Sequence, residues 1–307
     1  MNLDTLPVLS LAGDPAALAQ DLGGSFQRFG FALVSDHGLD PALVGRGWEL
    51  TQAFFALPEA EKRRWHVAGG GGQRGYTPFG TEIAKGAAVH DLKEFWHVGR
   101  EAGADASMPA NVWPDRPQGF RETFTALYAE LDRIGARILS HIAVWLGLAP
   151  DWFDPEVAGG NSILRLLHYP PVPDATVGAI RAGAHEDINL ITLLLGAEEA
   201  GLELLTREGH WIPAAPPPGA LVVNIGDMLQ RLTNHVLPST THRVRNPEGA
   251  RVGHSRYSMP FFLHLRSEFS IATLPECVSA EKPDRYPEPI TADAYLHERL
   301  REIGLTR

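Results

Sequence analysis

The chain has 307 residues, of which 44% are hydrophobic and 21% are charged. This composition predicts a globular protein with a sizeable core and excludes disordered, collagen-like and coiled-coil chains. The 27 Lys and Arg residues against 37 Asp and Glu residues leave a formal net charge of −10, which opposes the phosphate attraction on which nucleic-acid binding rests. We therefore expect no nucleic-acid partner.

Cysteine usage and the amino-terminal segment bear on location. Because Cys277 is the one cysteine, the chain forms neither an intramolecular disulfide nor a cysteine-based zinc cluster, and a metal must be held by His and carboxylate groups. The first residues lack a basic region followed by an apolar one, and apolar stretches such as residues 188–195 are too short to span a bilayer. We expect a cytoplasmic protein with no membrane partner, and the oligomeric state stays open.

Helix and strand patterns alternate in the first third of the chain. Asp14 before Pro15 predicts the start of a helix that runs to about residue 28, and residues 29–34 follow as a strand. A second helix is expected over residues 41–57, closed by Pro58, with a short third helix over residues 59–65. Residues 69–72 are four glycines and predict a loop.

A long helix separates this part from a strand-rich part. Apolar residues recur at helical spacing from residue 118 to about residue 148, which predicts one amphipathic helix. Beyond it, strand-length runs divided by Gly and Pro cover residues 162–169, 178–195, 202–205, 211–213, 220–232, 241–245 and 255–265. Many short strands at regular spacing indicate a β-sandwich or barrel. Residues 289–305 are expected to close the chain as a helix.

These elements predict a mainly β fold with added α-helices. Its core is a double-stranded β-helix, or jelly-roll, with a helical N-terminal part, a long buttressing helix and a C-terminal helix. We expect one compact unit. Residues 1–117 would form a mixed α/β part with substrate-side loops, and residues 118–307 the long helix, the jelly-roll core and the C-terminal helix.

A histidine and a carboxylate stand close together in the strand-rich part. His185 and Asp187 are two apart, and on a strand such residues project from the same face. His242 follows after 54 intervening residues, far enough to return on another strand of the same barrel. Two His and one carboxylate form the facial triad typical of non-haem Fe(II) oxygenases. The His-x-Asp pair alone is a weak signal, because a lone histidine is more often a core or surface residue.

The run from Arg256 to His264 strengthens this hypothesis. Strict alternation places Arg256, Ser258, Phe262 and His264 on one face. If that face lines the barrel interior, a buried guanidinium requires an anionic partner. A small dicarboxylate fits, because Arg256 would bind its distal carboxylate in a two-pronged bond and Ser258 would donate another. A structural salt bridge to Asp or Glu is the alternative, and Pro260 permits a bulge that would reset the alternation.

Taken together, these motifs resemble the isopenicillin N synthase-like family of Fe(II)- and 2-oxoglutarate-dependent oxygenases over nearly the whole length. The matching segments are residues 6–11, 30–34, 37–38, 54–58 and 165–171, followed by His185-x-Asp187, residues 224–227, Ser239-x-x-His242-Arg243-Val244 and Arg256-x-Ser258.

The resemblance implies a role for each matching residue. His185, Asp187 and His242 would be the iron ligands, with Arg256, Ser258 and Tyr169 binding 2-oxoglutarate. Where plant-type members commonly have Asn, this chain has Leu167, so the second donor to the metal-proximal carboxylate stays open. Asn224, Gly226 and Asp227 are interpreted as structural. The implied reaction uses O2 to oxidise a C–H bond of a small-molecule substrate by hydroxylation or desaturation, with release of succinate and CO2.

The substrate pocket is expected to include two segments before the long helix and the end of the last strand. Candidate substrate-binding residues there are aromatic, histidine or basic, namely Arg74, Tyr76, Phe95, His97, Phe262 and His264. Such a wall would suit a ring-bearing or moderately polar small molecule.

Two alternatives remain open at this point. An oxidase like isopenicillin N synthase would use the same Arg-x-Ser pair for a substrate carboxylate and would need no 2-oxoglutarate. A non-catalytic protein that binds 2-oxoglutarate or metal would be expected to lack one of the three ligand residues.

Overall fold

Helices, a large sheet and a small sheet form three layers in the computed structural model of this chain. It describes residues 5–70, 72–81, 92–101, 108–171, 181–196, 201–245 and 254–302. The helices are α1 (Pro15–Phe29), α2 (Pro41–Phe55), α3 (Glu59–Lys62), α4 (Phe120–Trp145), α5 (Asp154–Val157), α6 (Asp227–Leu232) and α7 (Ala292–Glu302). A 3-10 turn over Arg63–Trp65 extends α3.

The strands before α4 are β1 (Val8–Ser10), β2 (Phe31–Ser35), β3 (Gly75–Thr77) and β4 (Glu94–Gly99). Those after it are β5 (Ile163–Tyr169), β6 (Ala182–His185), β7 (Ile191–Leu195), β8 (Leu202–Leu205), β9 (Trp211–Pro213), β10 (Leu221–Ile225), β11 (His242–Val244), β12 (Arg256–Leu263), β13 (Ser270–Ile271) and β14 (Ile290–Thr291).

Within the described residues, the large sheet has eight strands in the order β1-β2-β10-β7-β12-β5-β4-β3, and the small sheet has four in the order β6-β11-β8-β9. One core cluster joins the outer face of the large sheet to α1, α2 and α4. A second cluster includes Phe31, Tyr169, Leu204 and Val244 and fills the space between the two sheets. The jelly-roll prediction is confirmed, and this inner space is the barrel interior.

Capping residues set the helix ends where the sequence predicted them. The Asp14 side chain accepts a hydrogen bond from the Ala17 N–H at 2.9 Å, so α1 begins at Pro15 as expected. Gly30 then takes a left-handed conformation with φ 68° and its N–H donates to the Phe26 carbonyl, which ends α1 and starts β2.

Two of the predicted strands have the wrong boundaries. The expected strand over residues 178–195 is divided into β6 and β7, which belong to different sheets, and residues 178–180 lie outside the described ranges. The expected strand over residues 220–232 ends at Ile225, and the chain turns into α6 at Gly226. The backbone passes so close to Asn189 there that a Cβ on Gly226 would lie 2.1 Å from the Asn189 carbonyl oxygen.

A buried polar cluster ties α3 to the large sheet on its outer face. Lys62 Nζ lies 2.8 and 2.7 Å from the two carboxylate oxygens of Glu94, and His168 Nδ1 lies 2.7 Å from Oε1. The Tyr76 hydroxyl also donates to Glu94. Desolvation opposes ionisation of Glu94, but these partners outweigh it and hold its pKa below the usual value. The charge of Glu94 is therefore balanced and its oxygens are hydrogen-bonded, on the face of the large sheet that points away from the barrel interior.

Candidate iron and 2-oxoglutarate site

Three side chains converge at the open end of the barrel interior. Oδ1 of Asp187 lies 3.9 Å from Nε2 of His185 and 3.8 Å from Nε2 of His242. The three ligand atoms all lie within 4.8 Å of one another, and this is the group of metal-ligating side chains found in the described part of the chain. The sequence prediction that these residues come together is confirmed.

The three residues reach this point from different local structures. His185 ends β6, and His242 begins the neighbouring strand β11 opposite His185 in the antiparallel register, as the return of the chain predicted. Asp187 does not follow the strand argument, because β6 stops at His185 and Asp187 lies in the loop before β7. The prediction that His185 and Asp187 are neighbours is therefore right, but the reason given for it, that both lie on one face of the same strand, is wrong.

Hydrogen bonds orient the carboxylate of Asp187. Thr192 Oγ1 donates to its Oδ2 at 2.5 Å and Asn224 Nδ2 donates to the same oxygen at 2.7 Å, which leaves Oδ1 facing the histidines. Burial raises the cost of ionising Asp187, whose exposed fraction is 7%, but the two histidines and the two donors together hold its pKa below the usual value. The carboxylate is ionised at neutral pH.

Backbone carbonyls orient both histidine rings. His185 Nδ1 lies 2.7 Å from the Gly183 carbonyl oxygen, and His242 Nδ1 lies 3.2 Å from that of Thr240. A carbonyl only accepts, so each Nδ1 donates to it, and the Nε2 atom of each ring is the one that faces Asp187. Desolvation and the neighbouring His242 lower the pKa of His185, which keeps the ring neutral. Two imidazoles and a carboxylate in this state form a donor set suited to a divalent transition metal.

A buried arginine lies farther along the same interior face. Arg256 begins β12 opposite Tyr169 of β5, is 1% exposed, and places its Cζ 5.3 Å from the centre of the Tyr169 ring. Its Nε and Nη2 have no hydrogen-bond partner among the described residues. The salt-bridge alternative is therefore not supported within the described ranges, and these donors are available to an anion between the sheets.

The alternation predicted along β12 is confirmed from Arg256 to Phe262, whereas His264 lies beyond the end of the strand at Leu263. The register with β5 is the same before and after Pro260, so no bulge shifts it, and Ser258 and Phe262 share the face of Arg256. Ser258 pairs with Leu167 of β5 and Phe262 with Thr192 of β7. Since Thr192 binds Asp187, Phe262 lies level with the triad, and Arg256 and Ser258 lie along the strand from it.

Three of the predicted substrate-side residues gather around Arg165 on the inner face of the large sheet, namely Phe95, His97 and Phe262. Phe95 and His97 are two residues apart on β4 and both lie on its inner face, with ring centres 4.7 Å apart. Arg165 of β5 links them, because its Nε donates to His97 Nε2 at 2.5 Å and its guanidinium lies 4.3 Å from the Phe95 ring and 5.3 Å from the Phe262 ring.

Arg74 and His264 adjoin this wall. Arg74 is 2% exposed, and its Nη2 donates to Asn161 Oδ1 at 3.0 Å. Burial lowers the pKa of His264 to about 4, with the positive charge of Arg74 adding to the effect and Asp187 opposing it. His264 is therefore neutral at pH 7 and lies within electrostatic reach of both residues.

Tyr76 is not brought to this group. It pairs with Trp96 and points to the opposite face of the sheet, where it packs against Phe54 at a ring-centre distance of 6.0 Å. We predicted Tyr76 as a substrate-binding residue because it lies in the same segment as Arg74. Strand alternation instead places it on the face of the sheet opposite to Phe95 and His97.

Comparisons with known proteins bear on the identity of this site. A family model described as the 2OG-Fe(II) oxygenase superfamily matches residues 160–265, and one described as a non-haem dioxygenase N-terminal region in morphine synthesis matches residues 6–116. Proline hydroxylase buaE of Petromyces alliaceus is 36% identical over 302 residues, covering 94% of each protein. The chain belongs to the 2-oxoglutarate–Fe(II) oxygenase superfamily.

Solved structures agree with this membership. A 2OG-Fe(II) oxygenase family protein from Caulobacter crescentus matches this oxygenase with a TM-score of 0.90 and 54% identity, covering 98% of this chain and 99% of that one. A full-length Neurospora crassa protein solved in complex with alpha-KG (2-oxoglutarate) has a TM-score of 0.87 and 30% identity, covering 96% and 95%. The predictions of an Fe(II)- and 2-oxoglutarate-dependent dioxygenase that uses O2 are confirmed.

The sequence missed three residues of the oxygenase site. Thr192 and Asn224 bind Asp187 from β7 and β10, and Asn224 was interpreted as structural. Alternation from Tyr169 would have placed Arg165 on the same face. No comparable pattern marks Thr192, since its role depends on a loop turning Asp187 back toward β7.

Within the described ranges, no helix is both long enough and apolar enough to cross a membrane.

Proposed function

We propose that His185, Asp187 and His242 hold the Fe(II) ion of this oxygenase. The observation that carries the proposal is the convergence of Oδ1 of Asp187 with the Nε2 atoms of both histidines, at 3.9 and 3.8 Å. A bound Fe(II) ion supplies the redox chemistry of O2 activation. The protein fixes the ligand set through Thr192, Asn224 and two carbonyl groups.

Arg256, Ser258 and Tyr169 are the residues that we assign to 2-oxoglutarate. The unpartnered Nε and Nη2 of Arg256 suit the distal carboxylate, which a guanidinium binds through two parallel hydrogen bonds. The Ser258 hydroxyl lies two residues along the same face, and Tyr169 lies opposite Arg256. Bound by these residues at one end, the cosubstrate would have its keto acid available to the metal held by the triad.

The substrate is proposed to be a small molecule that occupies the space beside Arg74, Phe95, His97, Phe262 and His264. Aromatic faces would stack on a ring or an aliphatic body, and the cationic groups would bind an oxygen or carboxylate of it. The relatives are in keeping with this class, since one is named a proline hydroxylase and the Neurospora crassa protein was also solved with thymine. The reaction is oxidation of a C–H bond by hydroxylation or desaturation, with succinate and CO2 as coproducts. The protein orients the substrate, because placement selects the bond.

Cellular location is proposed from cysteine chemistry. Cys277 is buried and free, and burial raises its pKa to about 11, which keeps it an unreactive thiol. This usage supports the reducing cytoplasm.

The proposed function is tested by succinate production. The protein loaded with Fe(II) is mixed with 2-oxoglutarate and a panel of amino acids and nucleobases, and succinate and oxidised product are measured together by mass spectrometry. We expect both products in equal amounts from a true substrate, and loss of both in Asp187→Ala. Arg46→Gln, an exposed arginine outside the site, serves as a control and should keep full activity. Product formation by Asp187→Ala at the normal rate would contradict the metal assignment.

A further inference from the structure

A basic cavity lies apart from the oxygenase site, where the end of α1, the turn between β8 and β9, the segment after α6 and the loop before β14 meet. Its volume is about 520 Å³, and its lining includes Arg28, Arg207, Lys282 and Arg285 together with His235. No carboxylate belongs to the lining among the described residues. The chain has a net charge of −10, so four cations around one cavity run against its overall charge.

The four cations come from three segments of the chain, the end of α1, the β8–β9 turn and the loop before β14. Arg207 Nη2 donates to the Gln27 carbonyl at 2.7 Å, which fixes the β8–β9 turn against the end of α1. The Arg28 guanidinium lies 4.7 Å from the Phe29 ring. Lys282 and Arg285 are anchored through their backbone N–H groups, which donate to Ser279 and Asn234.

The wall that carries His235 is rigid. Asn234 and His235 both have positive φ, at 51° and 60°, a conformation that costs free energy and persists where the surroundings impose it. Asn234 Nδ2 donates to the carbonyls of Cys277 and Pro283, each at 3.1 Å. The charges of Arg285 and Lys282 add to burial in lowering the pKa of His235, which places both cations close to its ring.

We propose that this cavity binds an oligophosphate, either free or as the phosphate chain of a nucleotide. Guanidinium groups match phosphate oxygens through paired hydrogen bonds, and the ammonium of Lys282 adds a point charge. The volume falls in the range of small-ligand sites, about 300–1,000 Å³, and exceeds the needs of a single phosphate. Four cations around one cavity suit an anion of several charges. The carboxylate of Glu208 lies within electrostatic reach of Arg28 but does not line the cavity.

The test is a calorimetric titration of the protein with inorganic triphosphate at near-physiological salt, about 0.15 M. Metal is removed beforehand by passage over chelating resin, because triphosphate binds divalent ions. We expect saturation at one triphosphate per chain. Removing two guanidinium groups in Arg207→Gln/Arg285→Gln should weaken binding at least about tenfold, because both would donate charged hydrogen bonds to phosphate oxygens. The matched pair Arg63→Gln/Arg133→Gln removes the same charge from exposed arginines elsewhere and should bind within about twofold of wild type.

Three results would overturn the proposal. They are the absence of saturable binding to wild type, an equal loss in both double variants, and a loss caused by Arg256→Gln instead, which would place the anion in the 2-oxoglutarate site. A thermal unfolding midpoint close to that of wild type confirms that the variants are folded. A parallel titration with a nucleoside triphosphate separates the two sources. Equal affinity for the two ligands would mean that the cavity recognises the phosphate chain alone. Tighter binding of the nucleoside triphosphate would mean that its base or sugar also contacts the cavity wall.

Discussion

Asn224 of β10 donates to Oδ2 of Asp187 at 2.7 Å, across 37 residues of sequence. Together with Thr192, it directs the other carboxylate oxygen toward the two histidines. The side chain that looked structural in the sequence therefore orients a carboxylate that we assign to iron, and the assigned site depends on the barrel interior as much as on its three ligand residues.

Removing this donor should weaken metal binding more than folding. We expect Asn224→Ala to lower Fe(II) affinity by about 10- to 100-fold, the usual effect of losing a partner of a metal ligand. Competition with a chromogenic chelator under anaerobic conditions measures it. Asn111→Ala is the matched control, because the Asn111 side chain binds the main chain of Gly99. Equal affinities in the two variants would show that Asp187 does not need Asn224.

Tyr76 offers a test of strand alternation. Because its hydroxyl binds the buried Glu94 and faces away from the barrel interior, Tyr76→Phe should lower the free energy of unfolding by about 1–3 kcal/mol. The KM values for 2-oxoglutarate and substrate should stay within about twofold of wild type. Urea unfolding and steady-state kinetics give the two readouts. A large rise in substrate KM at unchanged stability would return Tyr76 to the substrate pocket.

Close packing of α4 on the large sheet predicts opposite effects for two helix glycines. A Cβ on Gly135 would lie 2.4 Å from Leu263 Cδ1, whereas a Cβ on Gly24 of α1 would meet nothing within 4 Å. Gly135→Ala should therefore destabilise the protein by about 1–3 kcal/mol. Gly24→Ala should stabilise it by about 0.5–1 kcal/mol. Denaturant unfolding of both variants measures the difference, and a shift of the same sign in both would argue against the close approach.

The sequence predicted the large elements and the convergence of His185, Asp187 and His242 well, for identifiable reasons. Helix caps such as Asp14 are local, and the spacing between Asp187 and His242 allowed the chain to return on a neighbouring strand. Strand ends were less predictable, because apolar residues in α6 continue the pattern of β10 and the turn at Gly226 depends on a contact with Asn189. Such long-range contacts leave no local pattern.

The neutral, buried His264 predicts a dependence of stability on pH. Its pKa is about 4 in the folded protein against an ordinary value of 6.5. As pH falls from 6.5 to 4, the unfolded chain binds a proton that the folded protein does not bind, so the folded state loses stability. His264→Asn should remove up to about 3 kcal/mol of this loss in the metal-free protein. Urea unfolding at neutral pH and at two pH values inside this window provides the comparison. Parallel pH curves for wild type and variant would contradict a low pKa for His264.

The most direct test of the central claim is an anaerobic titration of the protein with Fe(II) and then 2-oxoglutarate, monitored by visible absorption. We expect a weak metal-to-ligand charge-transfer band that saturates at one equivalent of each component. The band should vanish in His242→Ala, which removes a ligand. In Arg256→Gln it should require about 100-fold more 2-oxoglutarate, because a paired charge is lost from a buried site. Absence of the band in iron-loaded wild type, or a band indifferent to Arg256, would contradict the assignment of these residues to iron and 2-oxoglutarate.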